Sequence, residues 1–301
     1  MKSSGGEVSG AAARMTPQKF RNIVWKHYAE HGRHALPWRK SHDPYKVLVS
    51  EMMLQQTQVE RVIPYFTAWM KTYSTVKRLA AAPLADVLRH WQGLGYNRRA
   101  KMLHEAAKAV VREHGGRMPK SIEGLQSLPG VGPYTARAVA AFAYDQDVVF
   151  IETNLRTAVI HHFFADRSGI PDAEVLAVLE KAKPRWPSGR EEGGKHGPRE
   201  WYSALMDYGA YLKRSGVRVN AKSKGYAKQS AFEGSGRQAR GAILRALAAG
   251  PSGKATLLKL LPSERKPQLE AQLAKLLQEG MIERKGSSYG LPGYMIESFE
   301  R

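Results

Sequence analysis

Apolar residues recur three or four positions apart along most of the chain, which is the spacing of one buried face of an α-helix. The repeat begins with Phe20, Val24 and Tyr28, and Thr16 in front of it is a favoured N-cap residue. Similar repeats continue, broken by turns, through most of the chain up to residue 232. The pattern predicts an all-α main body over residues 16–232.

The pattern changes near Gln238, where short leucine repeats predict three helices and a hairpin around Gly286-Ser287. Three helices and a hairpin are typical of a winged-helix module, which we place at residues 233–301. Such a module usually binds DNA, but it also serves as a protein-docking unit, and both interpretations stay open. Residues 1–15 are rich in Gly, Ser and Ala and predict a disordered lead-in.

A glycine hairpin follows a short predicted helix in the middle of the chain. Leu128-Pro129-Gly130-Val131-Gly132 leads directly into Pro133, which suits the first turn of the next helix. Glycines permit positive φ and leave backbone N–H groups uncovered, so that the turn and the helix N-terminus together suit a phosphate. The glycines alone fit equally well with an ordinary turn between helices that binds nothing.

The charge balance indicates a polyanionic partner. Lys and Arg number 47 against 27 acidic residues, which gives a net charge of +20 and a pI near 10.1. Nucleic acid is favoured over a membrane, because no apolar run reaches the ~18 residues that a span needs. A charge that serves only solubility is the alternative.

The lack of cysteine and of an apolar N-terminal segment bears on the chemistry and on the location of the protein. The chain has no cysteine, which excludes disulfides, thiolate nucleophiles and cysteine-bound iron–sulfur clusters. The N-terminus has no apolar signal segment, so we expect a cytoplasmic protein, associated with the nucleoid if bacterial.

Polar residues stand out at three places. Glu51 lies inside an apolar helix, where a solvated surface residue is the ordinary interpretation, and Gln55-Gln56-Thr57-Gln58 follows it. A second glycine turn, residues 93–99, carries Tyr96 and two arginines, as suits a nucleic-acid surface, although a core tyrosine beside a helix-ending glycine fits too. Glu152-Thr153-Asn154 opens a helix, with Thr153 or Asn154 expected as its cap.

Six motifs together resemble the helix-hairpin-helix base excision DNA glycosylases. They are LPWR (36–39), SEMMLQQTQV (50–59), GLGY (93–96), LPGVGPYTA (128–136), Glu152-x-Asn154 and ALMDYGA (204–210). Within that superfamily (HhH-GPD) the chain looks most like the MutY-type adenine glycosylases, which act at 8-oxoguanine:adenine mispairs. The resemblance covers about residues 16–232 and implies a two-lobed helical core.

The resemblance also implies a role for each matching residue. Glu51 would protonate the adenine as general acid, with a pKa raised by its apolar setting. Tyr134, where the related lyases have a lysine, would orient the carboxylates, and Asn154 would support the carboxylate on the sugar side. Arg39 would contact the flipped base and Asp207 would hydrogen-bond nearby. The implied DNA contacts are Gln55, Gln56, Thr57, Tyr96, Gly130, Val131 and Gly132, of which Gln56 and Tyr96 would wedge into the duplex.

Three features depart from that family. Glu152 stands where the family has its catalytic aspartate, and its extra methylene shifts the carboxylate. A misplacement of about 1 Å can slow a reaction roughly a hundredfold. The four cluster cysteines align by spacing with Lys213, Asn220, Ser223 and Gln229, so no iron–sulfur cluster and no other metal or cofactor is expected. The usual C-terminal domain that reads 8-oxoguanine is replaced by the winged-helix-like module.

The sequence therefore predicts a monofunctional DNA glycosylase that removes a mispaired base, foremost adenine opposite 8-oxoguanine or guanine. Its predicted partner is double-stranded DNA with a lesion or mismatch, without a membrane, and the protein is expected to be a monomer. The alternatives are a non-catalytic mismatch-binding protein, a glycosylase for thymine or uracil, and a transcription regulator built on the C-terminal module.

Overall fold

A computed structural model describes residues 15–186 and 197–293 of the chain, and these residues are mainly helical. The α-helices in chain order are α1 (Pro17–His31), α2 (Pro44–Leu54), α3 (Val59–Thr72), α4 (Val76–Ala81), α5 (Leu84–His90), α6 (Arg98–His114), α7 (Ile122–Gln126), α8 (Pro133–Tyr144), α9 (Thr153–Phe163), α10 (Asp172–Ala182), α11 (Pro198–Arg214), α12 (Gly236–Ala249), α13 (Lys254–Leu257) and α14 (Lys266–Gln278). The strands are β1 (Ser252–Gly253), β2 (Glu283–Lys285) and β3 (Ser288–Gly290), and 3-10 turns lie at Pro37–Lys40, Asn220–Lys222 and Ser263–Arg265. The predicted all-α body with a small α+β module is confirmed. Of the predicted lead-in, residues 1–14 lie outside the described ranges.

Local signals in the sequence start several of these helices. The Thr16 hydroxyl accepts a hydrogen bond from the N–H of Lys19 at 3.2 Å, as predicted for the cap of α1. Ser121 caps α7 in the same way through the N–H of Gly124 at 3.0 Å. Pro133 occupies the first turn of α8, where a missing N–H leaves no gap in the hydrogen bonding.

The chain divides into two compact units. Of the described residues, the first holds 15–33, 151–186 and 200–227. Its core includes fully buried Phe20, from α1, and Trp201, from α11. No helix among the described residues of the chain has the length and apolarity that crossing a membrane takes.

Of the described residues, the second unit holds 34–150, 197–199 and 228–293. At its centre lies α2, which packs against α3, α6 and α8. Eight of its eleven residues are buried, from Tyr45 to Met53 with one exception. A helix surrounded in this way buries nearly every side chain, and any polar residue on it needs a partner.

The C-terminal residues of the second unit form the predicted winged-helix arrangement. The order is α12, β1, α13, α14, β2 and β3, and the antiparallel sheet runs β1-β3-β2. The middle helix is shorter than predicted: it ends at Leu257, whereas the leucine repeat extends to Leu261 before Pro262. The module's apolar core is continuous with that of the preceding helices, and Arg89 Nε donates to the carbonyl of Ala248 at 3.2 Å. The domain limits 16–232 and 233–301 stay a prediction.

Candidate functional site

The Glu51 carboxyl lies inside the protein and contacts a tyrosine two positions after the glycine hairpin. Glu51 is only 6% exposed, so its interpretation as a solvated surface residue is wrong. The hydroxyl of Tyr134, in the first turn of α8, donates to Glu51 Oε2 at 2.7 Å. The Tyr134 ring packs edge-on against Phe150, with centroids 5.7 Å apart. Two motifs 83 positions apart therefore meet at one buried carboxyl group.

The two hairpin glycines are not equivalent. Gly130 has φ +76°, and a Cβ placed on it would lie 2.4 Å from Cβ of Met102. Gly132 has an ordinary φ of −82° and open space around it. Only Gly130 therefore needs to be glycine for the turn to form. The side chain of Val131 is buried, and its N–H donates to the carbonyl of Leu128 at 3.1 Å. The sequence predicted uncovered N–H groups in this turn, but the N–H of Val131 has a partner within it.

The two loops with predicted wedge residues both carry a strained backbone. Gln56 has φ +56° and Tyr96 has φ +47°, a region that residues other than glycine rarely adopt. Each such residue costs about 1–3 kcal/mol, and such strain clusters at functional sites. Next to Gln56, the Gln55 side-chain amide donates to Thr135 Oγ1 at 3.3 Å. This bond connects residues 55–58, the glutamine loop, to α8.

Arg99 joins these two loops from the inside. Its Nη1 donates to the carbonyls of Met52 and Met53 at 2.7 and 3.0 Å, where α2 ends. Its Nη2 donates to Thr57 Oγ1 and to the carbonyl of Gly95, both at 3.1 Å. Arg99 is 8% exposed, and burial lowers its pKa to about 10, which leaves it charged at neutral pH. Of the two arginines on this turn, which was expected to suit a nucleic-acid surface, Arg99 is thus engaged inside the protein, while its neighbour Arg98 is exposed.

Glu152 itself caps α9, in place of the predicted Thr153 or Asn154. Its Oε1 accepts from the N–H groups of Asn154 and Leu155 at 2.7 and 2.8 Å. Its Oε2 accepts from Asn154 Nδ2 at 3.2 Å, and the Asn154 oxygen accepts from Lys213 Nζ at 3.3 Å. Burial raises the pKa of Glu152, while the two backbone N–H groups and the charge of Lys213 oppose the rise.

The two residues implied in base binding have different surroundings. Arg39 is half-buried in the 3-10 turn Pro37–Lys40, and Arg199 Nη2 donates to its carbonyl at 2.8 Å, which fixes the backbone of that turn. Asp207 is 1% exposed and accepts from the N–H and the Nε of Arg33 at 2.7 and 2.6 Å. The carboxylate of Asp207 is thus engaged in a buried ion pair, and its predicted role near the base stays a prediction.

The segment that aligns with the cluster ligands keeps its fold through hydrogen bonds. Ile170 and Ser223 form a parallel bridge, in which the carbonyl of Lys222 and the N–H of Lys224 each pair with Ile170 at 2.9 Å. Thr157 Oγ1 donates to Asn220 Oδ1 at 3.0 Å. Without cysteine, the segment offers no thiolate to an iron–sulfur cluster. In the described ranges no group of three or more His, Asp or Glu residues is placed to hold a metal.

Sequence reasoning missed the positioning roles of Arg99, Lys213 and Arg199, each of which holds a residue named above. The carbonyl groups that end α2 have no partner within the helix, and a nearby basic side chain is one kind of donor that satisfies such groups. That rule indicates a need for a donor, but it does not say which of many arginines meets it.

The chain is similar to known proteins over these same residues. Residues 49–185 match the model of the HhH-GPD superfamily of base excision DNA repair proteins. The adenine DNA glycosylase of Mycolicibacterium smegmatis is 35% identical over 276 residues, which cover 85% of this chain and 90% of that protein. That of Mycobacterium tuberculosis is 49% identical over 152 residues, 48% of this chain and 50% of that protein.

Solved structures with a similar fold include two DNA repair proteins. A thermostable thymine-DNA glycosylase aligns with a TM-score of 0.55 and 24% identity, over 68% of this chain and 94% of that chain. A non-covalent endonuclease III–DNA complex aligns with a TM-score of 0.52 and 20% identity, over 68% of this chain and 89% of that chain. At these identities the likeness concerns the fold.

Proposed function

This chain belongs to the HhH-GPD superfamily of base excision DNA repair proteins, among the adenine DNA glycosylases, and from that premise we infer that it is a monofunctional DNA glycosylase that removes adenine. The reaction hydrolyses the bond between the base and its deoxyribose. It requires a base flipped out of the stack, a proton donor for the leaving base and a carboxylate near the cationic sugar.

The contact between Tyr134 and Glu51 is the observation that carries this proposal. The carboxyl is buried, and the hydroxyl 2.7 Å away fixes its orientation, as a general acid that protonates a leaving base requires. Glu51 is the proposed general acid and Tyr134 the residue that orients it. Tyr134 has no amine with which to form a Schiff base on the sugar, which agrees with hydrolysis without strand cleavage.

Glu152 is proposed to stabilise the cationic sugar, with Asn154 as its support. Its carboxylate accepts three N–H donors, which favour the ionised form and fix its direction. Arg39 is proposed to contact the flipped base. The hairpin Gly130–Gly132 and the loops with Gln55, Gln56, Thr57 and Tyr96 are proposed to contact DNA.

The finer substrate and partner assignments rest on the resemblance and on charge. We propose that the adenine lies opposite 8-oxoguanine or guanine in double-stranded DNA. We also propose that the protein is a cytoplasmic monomer, associated with the nucleoid if bacterial, and that it acts without a cofactor. The net charge of +20 supports DNA binding that weakens steeply as salt concentration rises.

A second candidate, a mismatch-binding protein without catalysis, is favoured by one observation. Glu152 stands at the family's aspartate position, and the hydrogen bonds that it accepts within the described residues serve the start of α9. Glu152→Asp separates the two functions. If it lowers an existing adenine release, the protein is an enzyme; if it creates release where the natural protein has none, the protein is a binder.

The decisive experiment is single-turnover base release with excess protein. Four duplexes carry adenine opposite 8-oxoguanine, adenine opposite guanine, thymine opposite guanine and uracil opposite guanine. Strand breaks are expected with the adenine duplexes and only after alkaline treatment. Product from the thymine or uracil duplex alone would reassign the base, and breaks before alkali would contradict a monofunctional enzyme.

Variants then test the proposed acid. Glu51→Gln should slow release by roughly 10²- to 10⁴-fold, the usual contribution of a positioned acid. Tyr134→Phe should slow it about tenfold or more, because it removes one hydrogen bond to that group. Glu60→Gln, an exposed glutamate on α3, is the matched control and should leave the rate unchanged. Equal rates for Glu51→Gln and the control would reject the assigned acid.

A further inference from the structure

A groove of about 890 Å³ opens in the second unit beside the two strained loops. The glutamine loop lines one side with Gln56, and the glycine turn lines another with Tyr96. The third side comes from the C-terminal part of the chain, with Phe232 and residues of α12 such as Arg237 and Arg245. The groove is therefore built jointly by the glycosylase motifs and by the module that replaces the family's usual C-terminal domain.

The C-terminal side of the groove already contacts both loop tips. Arg237 Nη1 donates to the Tyr96 hydroxyl at 2.6 Å, and its guanidinium carbon lies 5.6 Å from the centre of the Tyr96 ring. Gln229 Nε2 donates to Gln56 Oε1 at 3.2 Å. These contacts place α12 and the segment before it within reach of whatever the two loops contact.

The lining has the chemistry of a nucleic-acid site. Among the described residues that form it are six arginines and one carboxylate, Glu279, which is paired with Arg240. Arg98 and Arg245 are exposed and are suited to phosphate. Phe232 is 58% exposed, which is unusual for a large apolar side chain and gives a flat surface on which a base can stack.

We infer that this groove binds the DNA strand opposite the excised adenine, with Arg245 on its phosphates and Phe232 stacked on its unpaired base. This inference rests on the proposed function. Removal of adenine leaves the opposite base without a pair, and Gln56 and Tyr96 stand where the wedge into the duplex is proposed. Glu51 and Tyr134 are not among the described residues that line the groove, so the groove is a separate place from the one proposed for the excised base.

Of the two interpretations of the winged-helix module, DNA binding is the one that this groove favours. The module contributes to DNA binding through α12, its first helix, and through the segment just before it. The second helix of a helix-turn-helix usually enters the major groove, but here the module is joined to the glycosylase core and faces the proposed wedge with α12.

The test measures binding of two fluorescent duplexes by anisotropy at several salt concentrations. One duplex has guanine opposite a tetrahydrofuran analogue of an abasic site, and the other is fully paired. Neither contains a base to be removed, so the measurement does not depend on catalysis. Groove binding without adenine release would leave this inference standing and remove the proposed function, and release without groove binding would do the reverse.

Phe232→Ala should weaken binding of the abasic duplex about tenfold and leave the paired duplex unchanged, because only an unpaired base is free to stack. The matched control is Tyr226→Ala, which removes another exposed aromatic ring, 51% exposed and outside the groove lining. Equal losses for the two variants, equal losses on the two duplexes, or no loss for Phe232→Ala would overturn the stacking role.

Arg245→Gln should weaken binding of both duplexes and reduce the slope of log affinity against log salt by about one, as expected for one lost phosphate contact. Arg284→Gln removes an exposed arginine from β2 of the same module and should have less effect. An equal effect of the two variants would show that overall charge or the hairpin accounts for binding, and would overturn the role of the groove. Unfolding by urea verifies that each variant is folded.

Discussion

Lys213 donates a hydrogen bond to Asn154 Oδ1 across 3.3 Å. Because a lysine ammonium group only donates, this contact fixes the amide with its oxygen toward Lys213 and its NH₂ toward Glu152. Asn154 Nδ2 indeed donates to Glu152 Oε2 at 3.2 Å. Lys213, which the resemblance aligns with a cluster cysteine, thus supplies a cation that orients the proposed sugar-side carboxylate.

Replacement of Lys213 by methionine should shift the pH dependence of adenine release. Burial raises the pKa of Glu152 and the charge of Lys213 is one of the effects that oppose this rise, so its removal raises that pKa further. Glu152 must be ionised to stabilise a cationic sugar, and the acidic limb of the single-turnover rate should therefore move to higher pH. Rates measured across the pH range in which the protein stays folded test this.

Two further variants separate charge from structure at this position. Lys213→Arg keeps a donor with a positive charge and should restore the acidic limb. Lys224→Met removes an exposed lysine from the same segment and should leave the limb in place. If Lys213→Met changes only the plateau rate, the electrostatic role of Lys213 is wrong and a structural one remains.

The raised pKa of Glu152 also makes a prediction about stability. The folded protein binds the carboxyl proton of Glu152 more tightly than the unfolded chain does. The stability that this proton contributes is therefore fully present below the ordinary pKa of 4.5 and is lost as pH rises through the pKa of the folded state. Glutamine does not titrate. The free energy of unfolding of the natural protein, relative to Glu152→Gln, should therefore fall as pH rises above 4.5.

Urea unfolding of both proteins over a series of pH values measures this difference. The amide that Glu152→Gln introduces faces Asn154 Nδ2, and an arrangement with the two NH₂ groups in contact destabilises the variant. That destabilisation does not depend on pH. Glu60→Gln corrects for the lost negative charge at an exposed position. A difference that grows in favour of the natural protein with rising pH would contradict the raised pKa.

The hairpin glycines should respond differently to alanine. At Gly130, alanine would require φ +76° and place its Cβ 2.4 Å from Met102, which should cost about 2–4 kcal/mol in free energy of unfolding. At Gly132 the backbone is ordinary and the space is open, so stability should change by less than about 0.5 kcal/mol. Urea unfolding compares the two variants, and equal losses would contradict the assigned strain.

Gly132→Ala then tests the phosphate contact separately from folding. A methyl group at this exposed hairpin position should hinder the approach of a phosphate to the backbone N–H. Weaker DNA binding at unchanged stability supports the contact, and unchanged binding removes Gly132 from the proposed DNA surface.

Local patterns in the sequence predicted much of this fold. The repeat of Phe20 and Val24, the cap at Thr16 and the position of Pro133 act over a few residues, and the structure confirms each. The pairing of Glu51 with Tyr134 came from motifs and not from any local rule, because the two residues lie 83 positions apart.

The cap of α9 and the role of Arg99 could not be predicted from such local patterns. Thr and Asn are favoured caps, yet Glu152 is the residue with extended backbone just before α9, and its carboxylate accepts from the N–H groups of Asn154 and Leu155. The role of Arg99 depends on carbonyls 44 to 47 positions earlier in the chain. Burial of an arginine is set by the packing of α2 and α6 together, which no single stretch encodes.

Neighbouring arginines at the start of α6 provide a final comparison. Arg99→Lys keeps the charge but loses the planar group that donates to both wedge loops at once, and a lysine cannot supply these separated acceptors. Buried carbonyls then lack donors, at about 1–3 kcal/mol each. We expect a large loss in free energy of unfolding and, because Gln56 and Tyr96 lose their shared support, weaker binding of the abasic duplex.

Arg98→Gln removes the exposed neighbour and should reduce DNA binding and its salt dependence without loss of stability. If Arg98→Gln destabilises the protein as much as Arg99→Lys does, the division between a structural and a phosphate-binding arginine is wrong.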